Sequence, residues 1–195
     1  MRAVMRFLNA VGVLVLCGAG TVSAQHPQTR EGFWIGFGFG GGSAHLSCGS
    51  ACTFNDNAKG GGPTGYIKLG GTLSQSVLLG GEVNAWVKDV SGATETVGNV
   101  SAALYFYPQP KSGFFLKGGA GYSTYQIGDG GTATGNGFGL LGGVGYDIRV
   151  GRNISITPTG NFYLGSDGDV TDNGVTVIPS VKHSVVDLGL GITFH

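Results

Sequence analysis

The sequence predicts an all-β chain, an eight-stranded antiparallel up-and-down transmembrane β-barrel. Three observations carry that prediction. Bulky apolar residues recur at every second position in eight separate stretches, the period of a strand with one greasy face. Those stretches follow an N-terminal export signal, and no later run is long and apolar enough to cross a membrane as a helix. Only 11% of residues are charged, and 40 are glycine against 6 prolines. A soluble average has roughly twice that charge and about 7% glycine. No Gly-X-Y period is present, so collagen is excluded.

Residues 1–24 read as a cleaved signal peptide. Arg2 and Arg6 form the positive start, Phe7 to Ala19 the apolar centre, and Val22-Ser23-Ala24 the small-residue cleavage site. Cys17 follows Leu16, which is too large for a lipoprotein cleavage site. Residues 25–195 then form one barrel domain. Without Arg2 and Arg6, nine basic residues stand against eleven acidic ones, and no basic patch suggests nucleic acid. Cys48 and Cys52, in Cys-Gly-Ser-Ala-Cys, are expected to form a local disulfide in an oxidising compartment. No second ligand pair stands at zinc spacing, so no metal is expected.

The first strand is expected over 33–46, with Phe33, Ile35, Phe37 and Phe39 outward and Gly36, Gly38 and Gly40 inward. A dinucleotide fingerprint would need a helix after these glycines, and a cysteine-containing polar loop follows instead. Small residues suit the lining of a narrow barrel. Strand two is expected over 63–72, with Ile67 and Leu69 outward and Tyr66 and Lys68 inward. Strand three covers 77–89, with Val77, Leu79 and Val83 outward and Glu82, Asn84 and Trp86 inward. Strand four covers 96–107, with Val100, Leu104 and Phe106 outward and Asn99, Ser101 and Tyr105 inward. Strand five covers 113–127, with Phe114, Leu116 and Tyr122 outward and Lys117 and Ser123 inward.

Strand six is expected over 135–150, with Phe138, Leu140, Val144 and Tyr146 outward and Asp147 and Arg149 inward. Strand seven covers 154–164, with Ile154, Ile156, Phe162 and Leu164 outward; Pro158 predicts interrupted pairing and a bulge or bend. The last strand runs Val186, Leu188, Leu190, Ile192, Phe194 on one face. Short turns near 73–75, 108–112 and 150–152 alternate with longer loops near 47–62, 90–95, 128–134 and 165–182. That asymmetry is typical of outer-membrane barrels.

In the seven strands where parity is clear, no formal charge interrupts the apolar face short of Asp89 at the end of strand three, and a lipid-facing charge at mid-membrane costs roughly 2–4 kcal/mol. Lys68, Glu82, Lys117, Asp147, Arg149 and Asp187 all point inward and are expected to form a paired network that closes the lumen. Aromatics at strand ends (Phe33, Tyr107, Phe114, Tyr146, Phe162, Phe194) suit two interfacial girdles.

With its signal peptide, eight staves and closing strand Val186 to Phe194, the mature chain resembles the small eight-stranded outer-membrane barrels of the OmpA/OmpX/opacity type. The resemblance implies an outer-membrane location in a Gram-negative-type bacterium, contact with outer-membrane lipid and a monomer. It also implies that Phe194 is read by the barrel-assembly machinery as an assembly signal; in this chain His195 follows the aromatic.

No catalytic set is visible. His183 and Ser184 are adjacent, so a strand points them to opposite faces. The run Asp167-Gly-Asp169-Val-Thr-Asp172 lacks the spacing and closing glutamate of a calcium loop. No enzyme activity and no cofactor are expected. The leading expectation is a structural or surface-interaction barrel, with any surface ligand held by loops 47–62 and 165–182. The alternatives are a receptor or carrier for a small apolar ligand and an exported soluble barrel of lipocalin kind.

Overall fold

The computed structural model describes residues 28–48, 59–90, 92–128 and 133–195. The expected signal peptide therefore lies outside the described residues. Nine hydrogen-bonded segments form one antiparallel sheet: β1 Phe33–Ser47, β2 Lys59–Ser74, β3 Val77–Val90, β4 Ala93–Phe106, β5 Phe114–Gly128, β6 Ala133–Tyr146, β7 Ile148–Arg149, β8 Ile154–Asp172 and β9 Val175–Phe194. Each strand from β1 to β6 pairs with the next, β9 pairs with β1 and β8, and β8 pairs with β6. The sheet thus closes on itself, which leaves no edge to be covered.

The nine segments are eight staves, because β6 and β7 are two parts of one. Gly145 pairs with Thr159 on one side of the break, and Ile148 with Ile156 on the other, so the register is unbroken and no residue is inserted. The gap lies opposite Pro158, whose nitrogen has no proton to donate. Proline therefore interrupts the ladder, as expected, but the anticipated bulge is absent: β8 also runs past Pro158 in constant register with β9.

Inward and outward residues alternate as the sequence predicts. Phe37, Ile67, Val83, Val100, Leu116, Leu140, Phe162 and Leu188 are among the exposed outer residues, while Lys68, Glu82, Lys117, Asp147, Arg149 and Asp187 are buried. The glycine-rich inner wall has a direct steric cause. A Cβ on Gly38 would stand 2.7 Å from the Tyr66 ring, and one on Gly36 would stand 2.7 Å from Cε of Lys68. Long side chains on β2 thus lie flat over bare backbone on β1.

The strands extend beyond their expected ends on the long-loop side. β2 begins at Lys59, β3 and β4 meet across two residues, and the expected loop 165–182 is a hairpin turning at Asn173-Gly174. Both turn residues have positive φ, 47° and 82°, as a tight Asn-Gly hairpin turn requires. The reason for the difference is a change of phase. On β9, Leu190, Leu188 and Val186 face out, but further along the outward positions are Ser184 and Lys182 while Val185 and Val181 are buried. The same inversion occurs on β1, where Phe39 gives way outside to Ser43 and His45 and the buried positions become Ala44 and Leu46. A search for apolar residues on one face loses each strand at the inversion.

Candidate functional site

Inward side chains meet at three levels. At the middle, Glu82 on β3 accepts hydrogen bonds from the Lys117 ammonium on β5 and the Tyr105 hydroxyl on β4, and all three groups are buried. Lys68 stands opposite Glu82 in the β2–β3 register. Its ammonium has no carboxylate within ion-pair distance among the described residues. It is ringed instead by Phe115 at 5.1 Å, Tyr105 at 5.4 Å, and Trp34 and Tyr66 each at 6.0 Å. Each such contact stabilises a desolvated cation by about 0.5–2 kcal/mol. Asp187 accepts from the Asn161 amide at 2.7 Å.

At the short-turn rim, residues 28–30 lie across the mouth. Arg30 is wholly buried, with its guanidinium 3.5 Å above the Tyr107 ring. It donates to the carbonyls of Pro110 at 2.9 Å and Ser112 at 2.7 Å, and it exchanges backbone hydrogen bonds with the Gln75 side chain. Gln28 donates to the Asp147 carbonyl, and Arg149 donates to the carbonyl of Thr29 at 2.9 Å. The Asp147 carboxylate accepts from Tyr107 at 2.7 Å and Thr157 at 2.8 Å, with His195 Nε2 at 3.5 Å. Burial pushes the His195 imidazole below the usual histidine range, although Asp147 pulls the other way.

The long-loop end is filled by apolar side chains, among them Leu46, Trp86, Val97, Val170, Val181 and Val185. Beneath them, Ser123 donates to Asp167 Oδ1 at 2.7 Å, and His183 Nδ1 lies 2.7 Å from Asp167 Oδ2. A Ser, an Asp and a His meet here, but the carboxylate sits between the other two. Among the described residues no hydrogen bond joins the hydroxyl to the imidazole, so the three do not stand in the Ser-His-Asp order of a charge-relay triad.

The six inward charges predicted from the sequence thus fall into separate groups. Glu82, Lys117 and Lys68 share the middle; Asp147 and Arg149 belong to the rim; Asp187 is held by an amide. Tyr107, expected in an outer girdle, is instead buried beneath Arg30. Arg30, ahead of the first expected strand, is buried although it carries no local sequence signal of burial. Cys52 lies outside the described residues, and so does the expected pairing with Cys48.

Outside, Phe114 pairs with Tyr146 at one level and Tyr122 with Phe138 eight residues higher. At about 3.3 Å per residue and a tilt near 40°, these aromatic rows stand roughly 20 Å apart along the barrel axis. Beyond the upper row the outward residues turn polar: Thr124, Gln126, Asn136, Ser166.

Superposition on solved structures matches this architecture. Neisserial surface protein A aligns with a TM-score of 0.56, covering 85% of this chain and 98% of that one at 17% identity. Ail, the attachment invasion locus protein of Yersinia pestis, solved with the heparin analogue sucrose octasulfate, aligns at 0.52, covering 85% of this chain and all of Ail at 14% identity. The fold is that of the small outer-membrane barrels. No protein-family model matches the chain, and no curated protein matches it in sequence.

Two grooves open on the outer apolar face of this barrel. One, of about 350 Å³, runs between Phe37, Phe39, Ile156 and Leu190; another, of about 320 Å³, lies between Phe39, Ile67 and Val83. Neither reaches the charged interior.

Proposed function

We propose that the chain is an integral outer-membrane barrel with a structural or surface-interaction role, closed to solutes along its lumen. The observation that carries this reading is the polarity of the wall. An exposed apolar belt about 20–25 Å tall, edged by aromatics, surrounds a charged and aromatic interior, which is the arrangement a barrel needs in lipid. A soluble lipocalin-like barrel would place its polar face outward. Arg30, Tyr107 and Gln75 cover the short-turn mouth, the Glu82–Lys117 pair occupies the middle, and Trp86 with its apolar neighbours fills the loop end. Surface recognition then falls to loop 47–62 between β1 and β2 and to the β8–β9 hairpin on the loop side.

The same reading includes removal of residues 1–24, a Cys48–Cys52 disulfide, recognition of the Phe194 strand by the barrel-assembly machinery, and a monomer. The decisive experiment is heat-modifiable gel mobility of the mature chain in detergent, with Leu140→Arg and Val175→Arg compared. Leu140 lies in the belt, and a charge there costs roughly 2–4 kcal/mol. Val175 is exposed on the hairpin tip and tolerates the change. A chain that is folded and monodisperse in plain buffer, or equal tolerance of both substitutions, rejects the membrane reading. Large steady conductance in planar bilayers rejects the closed lumen alone.

A further inference from the structure

We propose that the outer wall at the long-loop edge of the apolar belt holds a phosphate-bearing lipid, with its phosphate against Lys182 and an acyl chain in the groove below. The inference rests on the membrane reading and adds a headgroup preference that the belt alone does not imply. The groove, about 280 Å³, lies between Phe138 and Leu140 on β6 and Leu164 on β8, and Lys182 on β9 closes its upper end. An apolar slot capped by a cation has the polarity of a single anionic lipid.

The cap itself consists of donors. Lys182 is exposed, and among the described residues no carboxylate lies within ion-pair distance of it. Its cross-strand partners are Ser47 on β1 and Ser166 on β8, and both point outward beside it. The next row toward the belt carries His45 and Ser184, again outward and again paired. An ammonium flanked by hydroxyls on neighbouring staves, about 5 Å apart, can meet several oxygens of one phosphate. Among the residues lining the slot, Lys182 is the one lysine or arginine; Lys59, paired with His45 in the β1–β2 register, lies two staves away at the same edge. Lys111 and Arg152 lie at the opposite rim, and Lys88 takes the inward parity. A diffuse basic collar would attract any anionic surface; one cation above one slot selects a docked molecule.

The test uses the refolded mature chain in nonionic micelles, with lipid retention read by native mass spectrometry. The probes are phosphatidic acid and phosphatidylcholine with identical chains. The wild type should retain phosphatidic acid over phosphatidylcholine by roughly fivefold, the scale of one lysine near a membrane surface. Lys182→Gln should abolish that preference, and Lys111→Gln should leave it intact. Leu140→Trp, which fills the slot from an outward position, should reduce retention of both lipids. The proposal is overturned if Lys182→Gln keeps the preference or if Lys111→Gln weakens it equally. It is also overturned if inorganic phosphate alone raises the thermal midpoint through Lys182 as much as phosphatidic acid does, since the site would then serve the free anion. Failure to enter micelles at all removes the membrane reading and this inference together, whereas loss of headgroup preference in a heat-modifiable barrel removes the inference only.

Discussion

Replacing Glu82 with leucine should be among the most damaging single changes in the lumen, and removing Lys117 as well should repair most of the damage. The side chains of Lys117 and Glu82 are 1% and 0% exposed, so neither finds water when its partner is lost. A buried charge stripped of its partner costs about 3–5 kcal/mol. The Tyr66 ring, 5.5 Å from the Lys117 ammonium, offsets about 1 kcal/mol of that. The Tyr105 hydroxyl loses its acceptor as well, which adds about 1 kcal/mol. Glu82→Leu should therefore cost about 4 kcal/mol. Lys117→Met should cost less, about 2–3 kcal/mol, because Glu82 keeps Tyr105 as a donor and has Lys68 opposite it as a second cation. The double variant should lie within about 2 kcal/mol of the wild type, with only the Tyr105 hydroxyl left unpaired. The assay is urea unfolding in lipid vesicles, followed through the fluorescence of the buried Trp34 and Trp86. A coupling energy of at least about 4 kcal/mol between the two sites follows from these figures. If the two single costs simply add, the pair does not organise the lumen and the argument fails.

The rim and the inner wall give further expectations. Arg30→Ala should destabilise the barrel by about 2–3 kcal/mol by orphaning the Pro110 and Ser112 carbonyls and exposing Tyr107, and Arg30→Lys should recover little, since one ammonium cannot replace the planar fork; thermal midpoints decide. Gly38→Ala should cost about 1–3 kcal/mol by driving a methyl group into the Tyr66 ring, whereas Gly71→Ala, with no atom within 4 Å of the new carbon, should be neutral or slightly stabilising; equal effects would remove the steric account of the glycines. His195 is held neutral in the folded chain below its ordinary pKa, so the unfolded chain binds the extra proton and stability falls as pH drops below about 6.5. His195→Asn should flatten that part of the profile, and an unchanged slope between pH 7.5 and 5.5 in denaturant titrations would contradict the burial of the ring.

Much of this architecture could be read from the sequence because lipid imposes one rule on every outward position of the belt. From Phe33 to Phe39 and from Val186 to Phe194, outward means apolar, so the parity of each strand and the inward address of Lys68, Glu82 and Lys117 follow from alternation alone. The rule lapses above the upper aromatic row. There the wall faces away from the belt and the interior turns apolar, so Val181 and Val185 occupy the parity that Asp187 holds below them. Alternation persists but its meaning reverses, and a reading built on one phase places a loop where β8 and β9 continue. Asn173-Gly174 was the available signal for that hairpin, since the dipeptide favours a tight turn between paired strands.

The rim contacts were beyond reach for a different reason. Arg30 is buried by carbonyls from turns 45 to 82 residues away, and no local pattern encodes such a meeting. Nor does parity show which inward charges touch. Lys68 and Glu82 are direct cross-strand neighbours, the pair that alternation would nominate, yet Glu82 is taken by Lys117 from two staves away and Lys68 is left to the aromatic rings. The curvature of a closed sheet decides this: on the concave face a long side chain reaches a stave two positions away as readily as its neighbour. Glycine completes the arrangement. Gly36 and Gly38 clear the floor on which Lys68 and Tyr66 lie, so the composition that first suggested a barrel also determines how its interior side chains are laid against the wall.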